Sequence, residues 1–129
     1  MGRYYSGDID GKFWFAIQSS NCADRFGSTG QTPNYLDYWF DESHLENINN
    51  ELLEIEKNLG ENLKLLNEFF NLNNGYNNQM ITEFYKEKGK TIGEGDIKHL
   101  LEEYADLSLG KEIRDCVKEN GECNFTAEL

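Results

Sequence analysis

Basic side chains are few: 12 Lys and Arg stand against 24 Asp and Glu, a formal net charge of -12 over 129 residues. Affinity for nucleic acid or an anionic membrane comes largely from Lys and Arg clusters that release counterions, so this balance argues against general binding to either. Proline is nearly missing, with Pro33 alone, and no Pro/Gly/Ser-rich stretch marks a linker. Residues 1–129 therefore read as a single domain, large enough for one hydrophobic core. Long apolar runs are missing too. The longest, residues 13–17, falls far short of the roughly 20 residues a membrane-spanning helix needs. The N-terminus passes straight into strand-forming residues, without the basic and apolar regions of a signal peptide. Cysteine is limited to Cys22, Cys116 and Cys123, an odd number with no C-x-x-C, which fits a reducing cytoplasm better than a disulfide scaffold. His44 and His99 are the two histidines, and neither joins a His/Cys cluster of ligand spacing, so no metal and no cofactor is expected.

What the chain has in abundance is aromatic residues near its start. Residues 3–18 (RYYSGDIDGKFWFAIQ) hold five of them and read as a β-hairpin closed on Asp10-Gly11, because a type I′ turn needs positive φ at both central positions. That turn pairs Ile9 with Lys12, Gly7 with Trp14, Tyr5 with Ala16 and Arg3 with Gln18. Tyr4, Phe13, Phe15 and Ile17 then share a core face, and Arg3, Tyr5, Ile9, Lys12, Trp14 and Gln18 share the other. On that second face guanidinium, ammonium, amide and aromatic groups can stack on and hydrogen-bond a partner or a planar ligand. Ser19, Ser20, Asn21, Asp24 and Arg25 follow directly and can complete a polar pocket at the strand end. The reading Asp8-Ile9-Asp10-Gly11 as a calcium loop fails, since Ser6 and Ile17 stand where two anchoring ligands belong.

Residues 19–33 (SSNCADRFGSTGQTP) read as a long loop with a helical turn near residues 23–26. Residues 34–40 (NYLDYWF) alternate as a strand, with Leu36, Tyr38 and Phe40 on one side and Tyr35, Asp37 and Trp39 on the other, expected to pair with residues 12–18. Ser43-His44-Leu45-Glu46 reads as a capping box. It opens a helical stripe of Leu45, Ile48, Leu52, Ile55 and Leu59 that runs on through Gly60 to Leu63, Leu66 and Phe70, favouring one long helix to about residue 72. Shorter helices are expected over residues 79–88, from a cap at Asp96, and from a cap at Ser108 to an αL stop at Asn120-Gly121. Acidic side chains on these helices argue against a DNA-reading helix-turn-helix. Residues 123–129 alternate with period two and read as a strand returning to the N-terminal sheet. The fold class is thus α+β: a small antiparallel sheet of hairpin, third strand and C-terminal strand, packed by one long helix and about three shorter ones.

Gly2-Arg3-Tyr4-Tyr5, Gly7-Asp8-Ile9, Gly11-Lys12-Phe13-Trp14-Phe15, Gln18-Ser19-Ser20 and Gly121-Glu122-Cys123 resemble a family of short proteins from giant DNA viruses and bacteriophages. The resemblance implies an intracellular viral setting, the cytoplasm of an infected host, and no particular reaction. Cys22, His44 and an acidic residue such as Asp24 or Asp37 would have to converge for catalysis, and no spacing ties them together. The sequence reads as a non-enzymatic accessory protein that binds a host protein, or sequesters a nucleotide-like small molecule, through the hairpin face and the loop after it. A third reading makes its acidic surface a nucleic-acid mimic that inhibits a host enzyme. Self-association is also open, since both sheet faces carry aromatics.

Overall fold

The computed structural model describes residues 3–30 and 35–128. The chain is an α+β fold whose antiparallel sheet has four strands: β1 (Tyr4–Gly7), β2 (Gly11–Lys12), β3 (Tyr35–Asp41) and β4 (Glu122–Glu128), in the order β2-β1-β4-β3. Four helices follow β3: α1 (Leu45–Leu59), α2 (Glu61–Leu72), α3 (Asn78–Glu87) and α4 (Glu94–Asn120). A 3₁₀ helix, Cys22–Phe26, occupies the middle of the loop after the hairpin, where the helical turn is expected. Residues 31–34 of that loop, with Pro33 and the first residue of the expected third strand, lie outside the described residues.

The alternation read in the two long strands holds. Leu36, Tyr38, Phe40, Cys123, Phe125 and Ala127 are buried, and Tyr38 and Phe40 lie near-parallel to Phe125, with ring centroids 5.1 and 6.2 Å away. The partner of β3 is β4, from Asp41↔Glu122 to Tyr35↔Glu128, instead of residues 12–18. No meander forms: β4 enters between β1 and β3 and makes the centre of the sheet.

The hairpin departs most from expectation. Its register is Tyr4↔Lys12 and Tyr5↔Gly11, so the reversal spans five residues and β2 is two residues long. Gly11 is not in a positive-φ turn. It is glycine for a packing reason, because a Cβ there would stand 2.2 Å from the Tyr5 hydroxyl that crosses it. Gly7, at φ 144, lets the backbone approach β4, where a Cβ would meet the Asn124 carbonyl at 2.5 Å. Asp8 and Asp10 serve the backbone: Asp8 Oδ2 accepts from the Asn124 N–H at 2.8 Å and Asp10 Oδ1 from the Gly7 N–H at 3.3 Å. The sidedness changes with the register. Tyr5, Ile9 and Phe13 are buried, while Tyr4 and Phe15 are exposed. The Phe13 N–H still donates to the Arg3 carbonyl at 2.9 Å, but residues 14–20 leave the sheet, with the Ile17 and Gln18 N–H groups donating to the Trp14 carbonyl in a tight turn and Ala16 at φ 62.

Three helix boundaries also differ. Asp41, not Ser43, is the capping side chain, and it caps a 3₁₀ helix, Glu42–His44, that leads into α1: its carboxylate accepts from the Ser43 N–H at 3.0 Å, and its own N–H donates to His44 Nδ1 at 3.1 Å. The stripe of Ile48, Leu52, Ile55 and Leu59 is buried as expected, but the helix breaks at Gly60, whose φ 55 and ψ -130 suit glycine alone. The long helix is instead α4, 27 residues running straight through Ser108. Two residues on, Gly110 packs tightly against its neighbours, with Phe26 and Leu52 side-chain atoms within 2.7 Å of where a Cβ would be. Gly121, at φ 83, closes α4 in the αL manner expected, its N–H donating to the Val117 carbonyl.

Candidate functional site

The residues singled out from the sequence fall into two groups, one turned inward and one not. Arg3, Gln18, Ser20 and Arg25 belong to a single polar network beneath the sheet end. Arg25, on the 3₁₀ helix, sends Nε and Nη2 to Glu51 Oε1 of α1, each at 2.8 Å. Its Nη1 reaches Asp106 Oδ2 at 2.8 Å and Glu103 Oε1 at 3.1 Å, one turn apart on α4. Gln18 Nε2 donates to the other Asp106 oxygen at 2.8 Å, and its Oε1 accepts from the Trp14 N–H at 3.0 Å. Arg3 donates to the Gln18 carbonyl and to Ser20 Oγ, and that hydroxyl donates to the Glu128 carbonyl at 2.5 Å. The network ties β1, the turn of residues 14–20, the 3₁₀ helix Cys22–Phe26, α1, α4 and β4 together.

Its electrostatics are lopsided, with one guanidinium inside three carboxylates. Burial opposes the charge of Arg25, yet hydrogen bonds to Asp106, Glu103 and Glu51 more than offset it and keep the group cationic. Burial pushes the Asp106 carboxyl above the usual range, against the lowering pull of Gln18 and Arg25. All three guanidinium nitrogens of Arg25 and both terminal nitrogens of Arg3 are already hydrogen-bonded or ion-paired within the network, so neither arginine offers a free terminal fork to a ligand. The two cations that suggested recognition act as internal fasteners.

The remaining candidates scatter. Tyr5 is buried, its hydroxyl donating to Glu112 at 2.7 Å. Trp14 packs edge-on to Phe70 at 5.5 Å, near Tyr76 and Tyr104, as part of an aromatic cluster anchored on α2 and α4. Lys12 lies exposed over the Tyr4 ring. Ser19 donates to Asn21 at the surface. Asp24 accepts from the Tyr38 hydroxyl and the Gly30 N–H, pinning the loop to β3. The expected common face of Arg3, Tyr5, Lys12, Trp14 and Gln18 does not exist, because the strand that would have aligned them ends at Lys12.

Cys22, His44 and Asp24 do not form a catalytic group. His44 is bonded to Asp41 in the turn before α1, and Asp24 to Tyr38 and Gly30. Burial and the adjacent Asp106 push the Cys22 thiol far up, away from the thiolate a nucleophile needs. Burial likewise raises Cys123, with the neighbouring Cys116 adding to the shift, and the Cys116 thiol donates to the Glu122 carbonyl at 3.6 Å. The folded protein is therefore expected to react with a neutral-pH thiol reagent at least about tenfold more slowly than the denatured chain, since each unit of raised pKa removes about nine-tenths of the thiolate. One thiol labelling at the denatured rate would show Cys22 to be open and activated. Among the described residues no group of three or more His, Cys, Asp or Glu side chains is arranged to hold a metal ion.

The sheet face opposite the helices carries what the sequence showed only in part. Tyr4, Ser6, Asp37, Trp39, Glu122, Asn124 and Glu128 are exposed there, with Trp39 at 47% and Tyr4 at 52% of their full accessibility. Asp37 stands opposite Thr126 and Trp39 opposite Asn124. The indole N–H donates to Glu122 at 3.3 Å, and Glu128 accepts from the Tyr4 N–H at 2.8 Å. No family model, curated protein or solved structure matches this chain. Among the described residues, no helix is long and apolar enough to cross a membrane.

Proposed function

We propose that this chain is a non-enzymatic binding protein that holds a basic surface of a partner protein on the open face of its sheet. The observation that carries the reading is two half-exposed aromatics on one face, Trp39 towards one end and Tyr4 towards the other, set among the carboxylates of Asp37, Asp41, Glu122 and Glu128, with Lys12 as the cation over Tyr4. Trp and Tyr supply most binding energy at protein interfaces, and a net charge of -12 steers a cationic partner toward them. Four carboxylates facing their own copies disfavour a sheet-on-sheet homodimer. On the resemblance of the N-terminal motif, the partner is a component of an infected host cell.

Strands of seven residues spaced about 4.8 Å apart give a face of only a few hundred Å², below the roughly 800 Å² per partner of a stable complex. The interaction is accordingly expected to be weak and strongly salt-dependent. Titrating a Lys- and Arg-rich polypeptide into ¹⁵N-labelled protein should shift the amides of residues 35–41 and 122–128. Trp39→Ala should weaken that binding about tenfold or more with Tm unchanged, and Asp37→Lys should do the same. Shifts confined to other acidic surfaces, such as the side of α4 bearing Glu112, Asp115 and Glu119, would remove the sheet face from consideration. If the partner is a nucleic-acid enzyme, as the mimicry reading has it, an oligonucleotide should compete for that enzyme.

A further inference from the structure

Far along the chain from the sheet, a cavity of about 420 Å³ opens where the start of α2, the body of α3, the segment 88–93 and the first turns of α4 meet. Its volume lies in the range of small-molecule sites. The floor is apolar: Tyr85 is 2% exposed, and Ile92 and Leu100 pack against the core. The rim is polar, and its groups divide between the α2 side and the α4 side.

On the α2 side, the Tyr85 hydroxyl donates to Asn62 Oδ1 at 2.8 Å. That bond occupies the amide's acceptor and leaves its two N–H donors to point elsewhere. Burial and the neighbouring Glu61 raise Tyr85 to about 12, so the hydroxyl stays protonated and the amide stays oriented at neutral pH. Lys90 sits beside Asn62, ion-paired to Glu61, and its backbone N–H is fixed on the Tyr85 carbonyl at 2.9 Å. This side presents the Asn62 amide donors and the Lys90–Glu61 ion pair. Across from it, α4 contributes the carboxylate of Asp96 and the imidazole of His99, and the connecting segment adds the Thr91 hydroxyl. The side chains of Thr91, Asp96 and His99 make no hydrogen bond or ion pair with another described residue.

From this division we propose that the cavity binds a small zwitterion of the α-amino-acid class. The ligand's carboxylate meets Lys90 and the Asn62 amide, its ammonium meets Asp96, and an aliphatic or aromatic side chain lies on Tyr85, Ile92 and Leu100. A lone anion would face Asp96 and Glu61 together with the -12 charge of the chain, and a lone cation would leave the Asn62 donors unanswered. A zwitterion satisfies both walls and, having no net charge, is not repelled by the protein's field. The site is separate from the sheet face, so a ligand here can coexist with a bound partner protein.

Titration of leucine and phenylalanine into ¹⁵N-labelled protein tests this. Saturable shifts are expected at residues 61–62, 90–92 and 96–100, with dissociation constants of about 1 mM or tighter. Isopentylamine and 4-methylpentanoate, which are leucine without its carboxylate and without its ammonium, should each bind about tenfold or more weakly. Asp96→Asn and Lys90→Gln, both surface substitutions that leave the core intact, should weaken leucine binding by a similar factor with an unchanged Tm. Absence of saturable shifts at about 20 mM amino acid, binding of either analogue as tight as that of leucine, or indifference to Asp96→Asn would each overturn the proposal. The sheet face is read out by different amides, so failure here leaves the partner-binding reading standing.

Discussion

Arg25→Ala should lower the unfolding free energy by about 3–5 kcal/mol, the range seen when one partner of a buried ionic group is removed. The magnitude follows from what remains behind. Glu103 and Asp106 are 7% and 6% exposed, and without the guanidinium they face Glu51 as a cluster of like charge in a poorly solvated space. Burial makes the folded state hold the Asp106 proton more tightly than the unfolded chain does. This group therefore costs nothing below the ordinary Asp value of 3.8, and its cost grows as pH rises from there through the raised folded value. With Arg25 gone the folded-state value rises further, so the deficit of the variant should be largest at neutral pH and shrink toward pH 4. Chemical denaturation of wild type and variant across that window gives the answer. A deficit that is constant with pH would mean that the loss comes from packing of the Arg25 stem, and that the three carboxylates are solvated without it.

Phe26→Ala carries a comparable penalty, about 3–5 kcal/mol, for a different reason. Its ring is fully buried and, with the Leu52 side chain of α1, fills the space over Gly110 of α4. Gly110→Ala, which on helix propensity alone would stabilise α4 by about 1 kcal/mol, should instead destabilise, since its methyl would stand 2.5 Å from the Phe26 ring. Combined with Phe26→Leu, the alanine gains room, and the double variant should be more stable than the sum of the single changes. Strict additivity, measured by denaturant midpoints at constant m, would show that the ring moves aside and that Gly110 is not set by this contact.

These two sites also mark where sequence reasoning reached and where it stopped. The alternation of Leu36, Tyr38 and Phe40, that of Cys123, Phe125 and Ala127, and the stripe from Ile48 to Leu59 were legible because burial on one side leaves a period in the chain. The middle of α4 shows none, since Leu101, Glu103, Ala105, Asp106, Leu107 and Leu109 are buried on several sides at once, and Ser108 then reads as a boundary that is not there. Gly11 and Gly60 misled in opposite ways. Gly11 follows an Asp as a turn glycine does, yet packing against Tyr5 is what requires it; Gly60 lies within a helical stripe strong enough to tolerate it, yet the helix ends there. As for the polar network, Arg3 and Gln18 stood out on the expected hairpin face, and Ser20 and Arg25 in the loop after it. Their partners could not, because Glu51, Glu103 and Asp106 lie 26, 78 and 81 positions from Arg25, and no local pattern encodes a contact at that distance. The open face was visible as the polar half of two alternating strands, but its extent depended on β4 pairing with β3, which only the assembled sheet reveals.

The central position of β4 governs how fast the molecule can reach its native state. β1 and β3 touch only through it, and Ser6 meets Thr126 across 120 positions of chain. Closing so long a loop costs about 2 kcal/mol more entropy than closing one of ten residues, and such distant pairings slow folding. The two-residue β2 cannot hold β1 in register alone. The helices are thus expected to assemble first, with the Trp39 face appearing only when the two ends of the described chain have met.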